Sequence, residues 1–312
     1  DYIVFNYHVA HTDSFDCPIR RELRGLTFSK NGQIISRPFH KFFNLNEKEE
    51  TRNVDWTKPH SVLNKLDGSM VHPILLPEGI RWATKAGITD ISVMCENYIK
   101  TFPRYKDFAN MCIQSNCTPI FEYIAPNNRI VINYQEEELI LLAIRNNLTG
   151  KYYSYETQLF LANQFDIPSV KPYLGKLDEL LDQKDIEGVV VRFNDGQMIK
   201  IKTEWYVAIH KAKDNILHEK NVIKLILEER LDDIIQDLPD YDRKKLEEYE
   251  DTLISNIDRA VEMCKVALKE SEGQDKKHFA IHVAPKLKPL LRVACFASWN
   301  DSSKLRDLLI MN

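Results

Sequence analysis

Nine of the ten glycines in this 312-residue chain lie at or before Gly196, and the tenth is Gly273. Glycine serves turns and weakens helix interiors, so this imbalance separates a turn-rich region from a helix-permissive one. In the first two hundred residues, β-branched and aromatic runs alternate with turns. Residues 32–37, 81–85, 119–124, 139–145 and 188–193 read as strands, and 91–102 as a helix. This pattern predicts an α+β region with a mostly antiparallel sheet. After Asp214 the apolar period changes to that of a helix. Leu253, Ile254, Ile257, Ala260, Val261, Cys264, Ala267 and Leu268 fall on one face. Pro239, Gly273 and the Pro285/Pro289 pair cut this region into four or five helices. The expected organisation is an α+β domain over 1–213 and an all-helical domain over 214–312.

Apolar residues make up 44% of the chain and charged residues 28%, which describes a globular protein with ample core. No apolar run reaches membrane-spanning length and no signal peptide is visible. The chain starts at Asp1 without methionine, so a short leading segment is expected to have been lost. The six cysteines are scattered, with no Cys-x-x-Cys pair and no zinc spacing. That usage suits a reducing, intracellular compartment. A net charge of −4 argues against a general polyanion binder but leaves room for a local basic groove.

The most informative local string is Lys65-Leu66-Asp67-Gly68-Ser69. A strand ending in Lys65, an Asp-Gly turn and the apolar run 70–76 predict a hairpin-like setting with an amine at its lip. Such an amine is a solvated surface lysine or a covalent nucleophile. Nucleophilic use requires the neutral form. Lysine's ordinary pKa is about 10.4, so deprotonation near neutrality costs about 4 kcal/mol. Nearby cations can supply part of this. Lys200 and Lys202, at i and i+2 on a short strand, project from one face and can bind phosphate while depressing a third amine. They read equally as an exposed edge.

Other groups carry similar pairs of readings. Glu187 opens another strand, as a surface carboxylate or as a holder of a metal ion or its water. Glu122 lies between Phe121 and Tyr123, suited to an ion pair or to a ribose hydroxyl with a ring nearby for a base. Arg24, Arg37 and Lys41 lie in a basic, aromatic stretch before Lys65, with Phe39, Phe42 and Phe43 expected in the core. No glycine-rich phosphate loop occurs, so any nucleotide must be held by side chains.

Taken in order, Lys65-Leu66-Asp67-Gly68, Phe121-Glu122-Tyr123, Glu187-Gly188 and Lys200-Ile201-Lys202 resemble motifs I, III, IV and V of the covalent nucleotidyltransferases. Longer strings are similar to the bacteriophage RNA ligase 1 family. These are Arg24-Gly25, Ser36-Arg37-Pro38, the segments 41–47 and 125–131, Tyr134-Gln135-Glu136 and Trp205-Tyr206-Val207. The resemblance covers the whole chain and is weaker after Asp214. It implies an antiparallel-sheet nucleotidyltransferase (adenylyltransferase) domain followed by the all-helical domain.

It further implies an ATP-dependent RNA ligase, acting through Lys65-AMP and RNA-adenylate to join 5′-phosphate and 3′-hydroxyl ends. Tyr7, Arg24, Lys41, Lys200 and Lys202 would meet the nucleotide, Glu122 its ribose, and Lys85 a phosphate or metal-bound water. Tyr206 would lie close by. Glu187 would serve a Mg2+ or Mn2+ ion, and Asp232-Asp233 match a family acidic pair that also reads as a solvated helix face. Leu66, where the family often carries Glu, and Ala86-Gly87 depart from its pattern. The implied substrate is cleaved tRNA in a bacterial or phage-infected cytoplasm, handled by a monomer without membrane contact. Arg243-Lys244-Lys245, Lys276-Lys277 and Lys286/Lys288/Arg292 are candidate tRNA patches or ordinary exposed faces. The alternatives are a capping-type guanylyltransferase, a DNA ligase, or a non-catalytic RNA-end binder.

Overall fold

The computed structural model describes residues 2–7, 13–216, 219–228, 230–235, 238 and 240–311. The strands are β1 (Tyr2–Asn6), β2 (Arg24–Ser29), β3 (Ile34–Ser36), β4 (Phe43–Asn44), β5 (His60–Lys65), β6 (Ser69–Leu76), β7 (Gly79–Ala83), β8 (Cys117–Ile124), β9 (Glu138–Asn146), β10 (Gly188–Phe193) and β11 (Met198–Lys202). The α-helices are α1 (Pro18–Glu22), α2 (Glu49–Arg52), α3 (Asp90–Thr101), α4 (Arg104–Gln114), α5 (Tyr155–Asn163), α6 (Glu204–Ile216), α7 (Glu219–Leu227), α8 (Asp232–Ile235), α9 (Asp240–Lys269), α10 (Lys276–His282), α11 (Pro289–Ala297) and α12 (Leu305–Met311). The chain groups into two compact units, residues 1–210 and 211–312.

In the first unit the strands form sheets ordered β1-β2-β3, β4-β11-β10-β5 and β7-β6-β8-β9. Pairing is antiparallel except for β4 with β11. β8 is buried along its whole length, as its Thr, Ile, Phe and Tyr content predicts for a central strand. Its Pro119 pairs only with β9, outside the stretch bonded to β6, so the missing N–H is tolerated. Phe121 and Tyr123 face a core shared with α3 and α4 residues such as Cys95, Tyr105 and Phe108. Phe39, Met198, Ile120 and Ala143 pack together and so join the two four-stranded sheets.

One expectation fails in an informative way. β5 and β6 do not form a hairpin; they pass into different sheets. The Asp67-Gly68 link is pulled inward instead, where Asp67 is only 2% exposed. Gly68 is required there, since a Cβ would lie 2.5 Å from the Tyr123 carbonyl oxygen.

In the helical unit, all eight residues of the predicted face of α9 are buried or half-buried. Cys264 and Ala267 of α9 pack with Phe279, Leu291, Cys295 and Leu305. Among the described residues this region holds more helical pieces than the four or five expected, because short turns of helix connect the longer ones. Pro239 lies outside the described residues. No described helix is long and apolar enough to cross a membrane.

Candidate active site

Sheet register assembles the site. Gly188 of β10 stands opposite both Lys65 of β5 and Lys202 of β11, so the two lysines flank one glycine on one sheet face. Glu187, just before β10 rather than on it, reaches both. Lys65 Nζ donates to its Oε2 at 2.8 Å and Lys202 Nζ pairs with its Oε1 at 2.9 Å. Gly188 makes this approach possible. Its φ is +142°, and a Cβ would lie 2.0 Å from the Ile201 carbonyl oxygen.

Lys200 sits one row further along the same face, over the Phe42 ring at 5.4 Å. Its pKa is lowered to about 7, by burial first and then by Lys41 and Lys65. The crowding of cations expected around Lys65 is therefore found at Lys200, while Lys65 is held by a carboxylate. Glu122 of β8 accepts from the Gly68 N–H at 3.1 Å. Burial pushes its carboxyl up to about 7, with Lys65 opposing and Glu187 adding to the rise. Phe121 and Tyr123 turn away into the core, so the ring expected beside Glu122 is not supplied by its neighbours.

Lys65, Glu122, Glu187, Lys200 and Lys202 line one cavity of about 840 Å3, together with Tyr7, Arg24, Lys41, Lys85 and Tyr206. Lys85 lies in the turn after β7, not on the strand, and its Nζ is over the Tyr7 ring at 5.5 Å. Among the described residues, Arg24, Lys41, Lys85 and Lys200 have no carboxylate ion-pair partner. Arg192 also lines this cavity without a carboxylate partner among the described residues, and five such cations create a field that favours a polyanion. Leu142, Val170 and Val190, the last paired across strands with Lys200, supply apolar wall.

Sequence reasoning gave Asp67 no role. Its Oδ1 accepts from the Tyr206 hydroxyl at 2.6 Å, and its Oδ2 accepts from the N–H groups of Val131 and Ile132, both at 2.7 Å. Its own N–H donates to the Tyr134 hydroxyl at 3.1 Å. One carboxylate thus ties the Lys65 loop to the loop after β8 and to α6. The signal was the fixed Asp of Lys-x-Asp-Gly. Leu142, Val170 and Val190 gave no signal, because wall residues on a strand or loop look like core.

Asp232 opens α8 in the helical unit and is exposed; the side chain of Asp233 lies outside the described residues. Among the described residues no three His, Cys, Asp or Glu side chains converge as a metal cage. Both oxygens of Glu187 carry lysine partners. This donor set fits a hydrated divalent ion that takes further ligands from phosphates, not an ion enclosed by protein.

Residues 22–206 match the family model described as RNA ligase. This chain belongs to the RNA ligase family. Residues 213–301 match the model for the T4 RNA ligase 1 C-terminal domain. A Thermovibrio ammonificans protein named provisionally as an RNA ligase is 33% identical over 75% of this chain and 65% of its own length. RNA ligase 1 of bacteriophage TS2126 is 27% identical over 73% of this chain and 61% of its own. The chain thus spans less than two thirds of either relative. A solved archaeal ATP-dependent RNA ligase is similar at 14% identity and a TM-score of 0.45, over 64% of this chain and 54% of that one. That likeness is too distant to carry an argument.

Proposed function

We propose that this protein is an ATP-dependent RNA ligase whose nucleophile is Lys65. The observation that carries the reading is the meeting of Lys65 with five cations lacking carboxylate partners in one cavity whose wall also holds Leu142, Val170 and Val190. A triphosphate satisfies the cations and a purine packs on the apolar wall. Glu122 then faces the ribose, and Arg24, Lys41 and Lys200 face the phosphates.

In the first step the neutral Lys65 Nζ attacks the α-phosphorus. An N–P bond forms, the bond to the bridging oxygen breaks, and pyrophosphate leaves with that electron pair. For attack, the Lys65 ammonium must release its hydrogen bond to Glu187 and lose one proton to solvent; once the N–P bond has formed the nitrogen loses a second, leaving the phosphoramidate. Glu187 would hold a hydrated Mg2+ or Mn2+ ion, which would supply charge neutralisation at the phosphates. AMP then passes to an RNA 5′-phosphate, and the RNA 3′-hydroxyl displaces it to seal the strand. The chain's own contribution is to position the reactants and to surround the phosphates with fixed positive charge.

The division near residue 213, the role of Asp232 and Asp233 as metal ligands, and tRNA contact through the helical unit belong to the same proposal. So do cleaved tRNA as the substrate, a monomeric state and a cytoplasmic setting. The test is incubation with a 5′-phosphorylated, 3′-hydroxyl RNA, ATP and Mg2+. The expected result is a joined or circular product, absent with Lys65→Ala. Sealing supported by GTP and not by ATP would reject the assignment.

A further inference from the structure

The first unit holds a second cavity, of about 640 Å3, lined in part by His40, Arg145, Tyr152, Tyr153, Tyr155 and Arg192. Register places it. On the face of β5, β10 and β11 that carries the active site, the row Lys65–Gly188–Lys202 is followed by Leu63–Val190–Lys200 and then by Ser61–Arg192–Met198. Residues of the first two rows line the Lys65 cavity, and the third row lines the second cavity. Four residues along a strand advance about 13 Å, so the cavities lie end to end. Arg192 lines both.

The charge of this cavity is unusual. Arg192 is 7% exposed. It donates to the carbonyls of Leu142 and Tyr153, both at 2.9 Å, and to Gln158 Oε1 at 3.0 Å. Among the described residues no carboxylate pairs with it. A buried guanidinium balanced only by dipoles leaves a positive local field. Arg145, 3% exposed, pairs with Glu22, which is shared with Arg37. Asp195 at the rim is paired with Lys58, while Lys151 stands exposed at the mouth. His40 adds no charge near neutrality, since burial lowers its pKa to about 4.

The wall is aromatic and fixed. The Tyr155 hydroxyl donates to the Val170 carbonyl at 2.7 Å, and the Tyr152 hydroxyl bonds His40 Nδ1 at 2.9 Å. The Tyr152 ring has the Arg145 guanidinium over it at 4.8 Å and Phe39 stacked on it at 5.7 Å, and Tyr153 packs against the core, which leaves Tyr155 as the ring for a base. A rigid ring in a positive field holds a nucleotide by stacking and charge, without reading its sequence.

We propose that this cavity is a second nucleotide-binding site, taking one base and its phosphate, distinct from the cavity of Lys65. It goes beyond the ligase reading and does not need Lys65 chemistry. A free nucleotide and an unpaired nucleotide of an RNA strand offer the same groups, and the test separates them. Equilibrium dialysis of the full chain with labelled AMP should find two AMP per chain. Lys151→Glu, which reverses charge at the mouth, should weaken the second site by about tenfold or more and spare the first. Asn194→Trp, an exposed rim position, should block it sterically. A 5′-hydroxyl RNA oligonucleotide that displaces one AMP would identify RNA as the occupant; two AMP retained against RNA would identify the free nucleotide. One AMP per chain, with RNA affinity unchanged by both substitutions, would overturn the proposal. Covalent labelling of Lys65 from ATP is read separately: were the Lys65 cavity to take no AMP, a single AMP per chain that Lys151→Glu and Asn194→Trp weaken would still report this second site.

Discussion

Asp67→Asn changes one oxygen to an amide nitrogen at the point where three segments meet. The native carboxylate accepts from the Tyr206 hydroxyl and from the Val131 and Ile132 N–H groups, with only 2% of the residue exposed. Bonds to a charged acceptor contribute about 1.5–3 kcal/mol, against about 0.5–1.5 for neutral partners. Asparagine can keep its oxygen toward the two backbone donors and turn its NH2 toward Tyr206, so every bond survives in a weaker form. The loss is about 1 kcal/mol for each bond, or about 3 kcal/mol together. For a unit of this size that corresponds to a fall in Tm of roughly 6–12 °C. Trp56, Trp82 and Trp205 belong to the first unit, so tryptophan fluorescence in a thermal or urea melt follows it. Tyr206→Phe, which removes one of the three bonds, should cost about a third to a half as much. A loss below about 1 kcal/mol for Asp67→Asn would refute the view that this carboxylate ties the segments together.

Gly188→Ala would place a methyl group 2.0 Å from the Ile201 carbonyl oxygen. A cost of at least about 3 kcal/mol, read as lost soluble yield or a lowered melt, is expected; a wild-type melt would contradict the geometry. Glu122 and Lys200 contribute to stability with opposite pH dependence. Between 4.5 and about 7 folded Glu122 holds a proton that the unfolded chain has lost, so its contribution falls as pH rises. Buried His40 and His72, with pKa lowered from 6.5 to about 4, oppose that fall. Between about 7 and 10.5 folded Lys200 lacks a proton that the unfolded chain binds, so its contribution rises with pH. Glu122→Gln should make stability rise more steeply with pH on the acid side, and Lys200→Met should flatten the alkaline side, in urea titrations; slopes unmoved by these changes would refute the two assignments. Glu187→Gln removes the carboxylate shared by Lys65 and Lys202, and covalent labelling from ATP should slow by about a hundredfold. A rate within twofold of wild type would exclude a positioning role.

Much of this architecture was legible because local chemistry and fold agree. The face of α9 follows from helical spacing alone, and α3 begins within a residue of its expected start because Thr89 and Ser92 form a capping box. The cavity gathers Lys65, Glu122, Glu187, Lys200 and Lys202, whose strand positions the motifs marked. What stayed hidden depends on long-range pairing. An Asp-Gly turn after a strand ordinarily closes a hairpin. Here buried donors to the Asp67 carboxylate, and Glu122 as acceptor of the Gly68 N–H, redirect the chain into another sheet. Likewise, period-two spacing put Lys200 and Lys202 on one face, but only register could show that Lys202 shares Glu187 with Lys65 while Lys200 stands without a carboxylate partner.

The most direct measurement is mass spectrometry of the protein after incubation with ATP and Mg2+, followed by peptide mapping. A gain of one AMP on the peptide containing Lys65, lost on addition of pyrophosphate, is the predicted result. An adduct on another lysine, or an unmodified protein that still seals RNA, would contradict the assignment of Lys65 as the nucleophile.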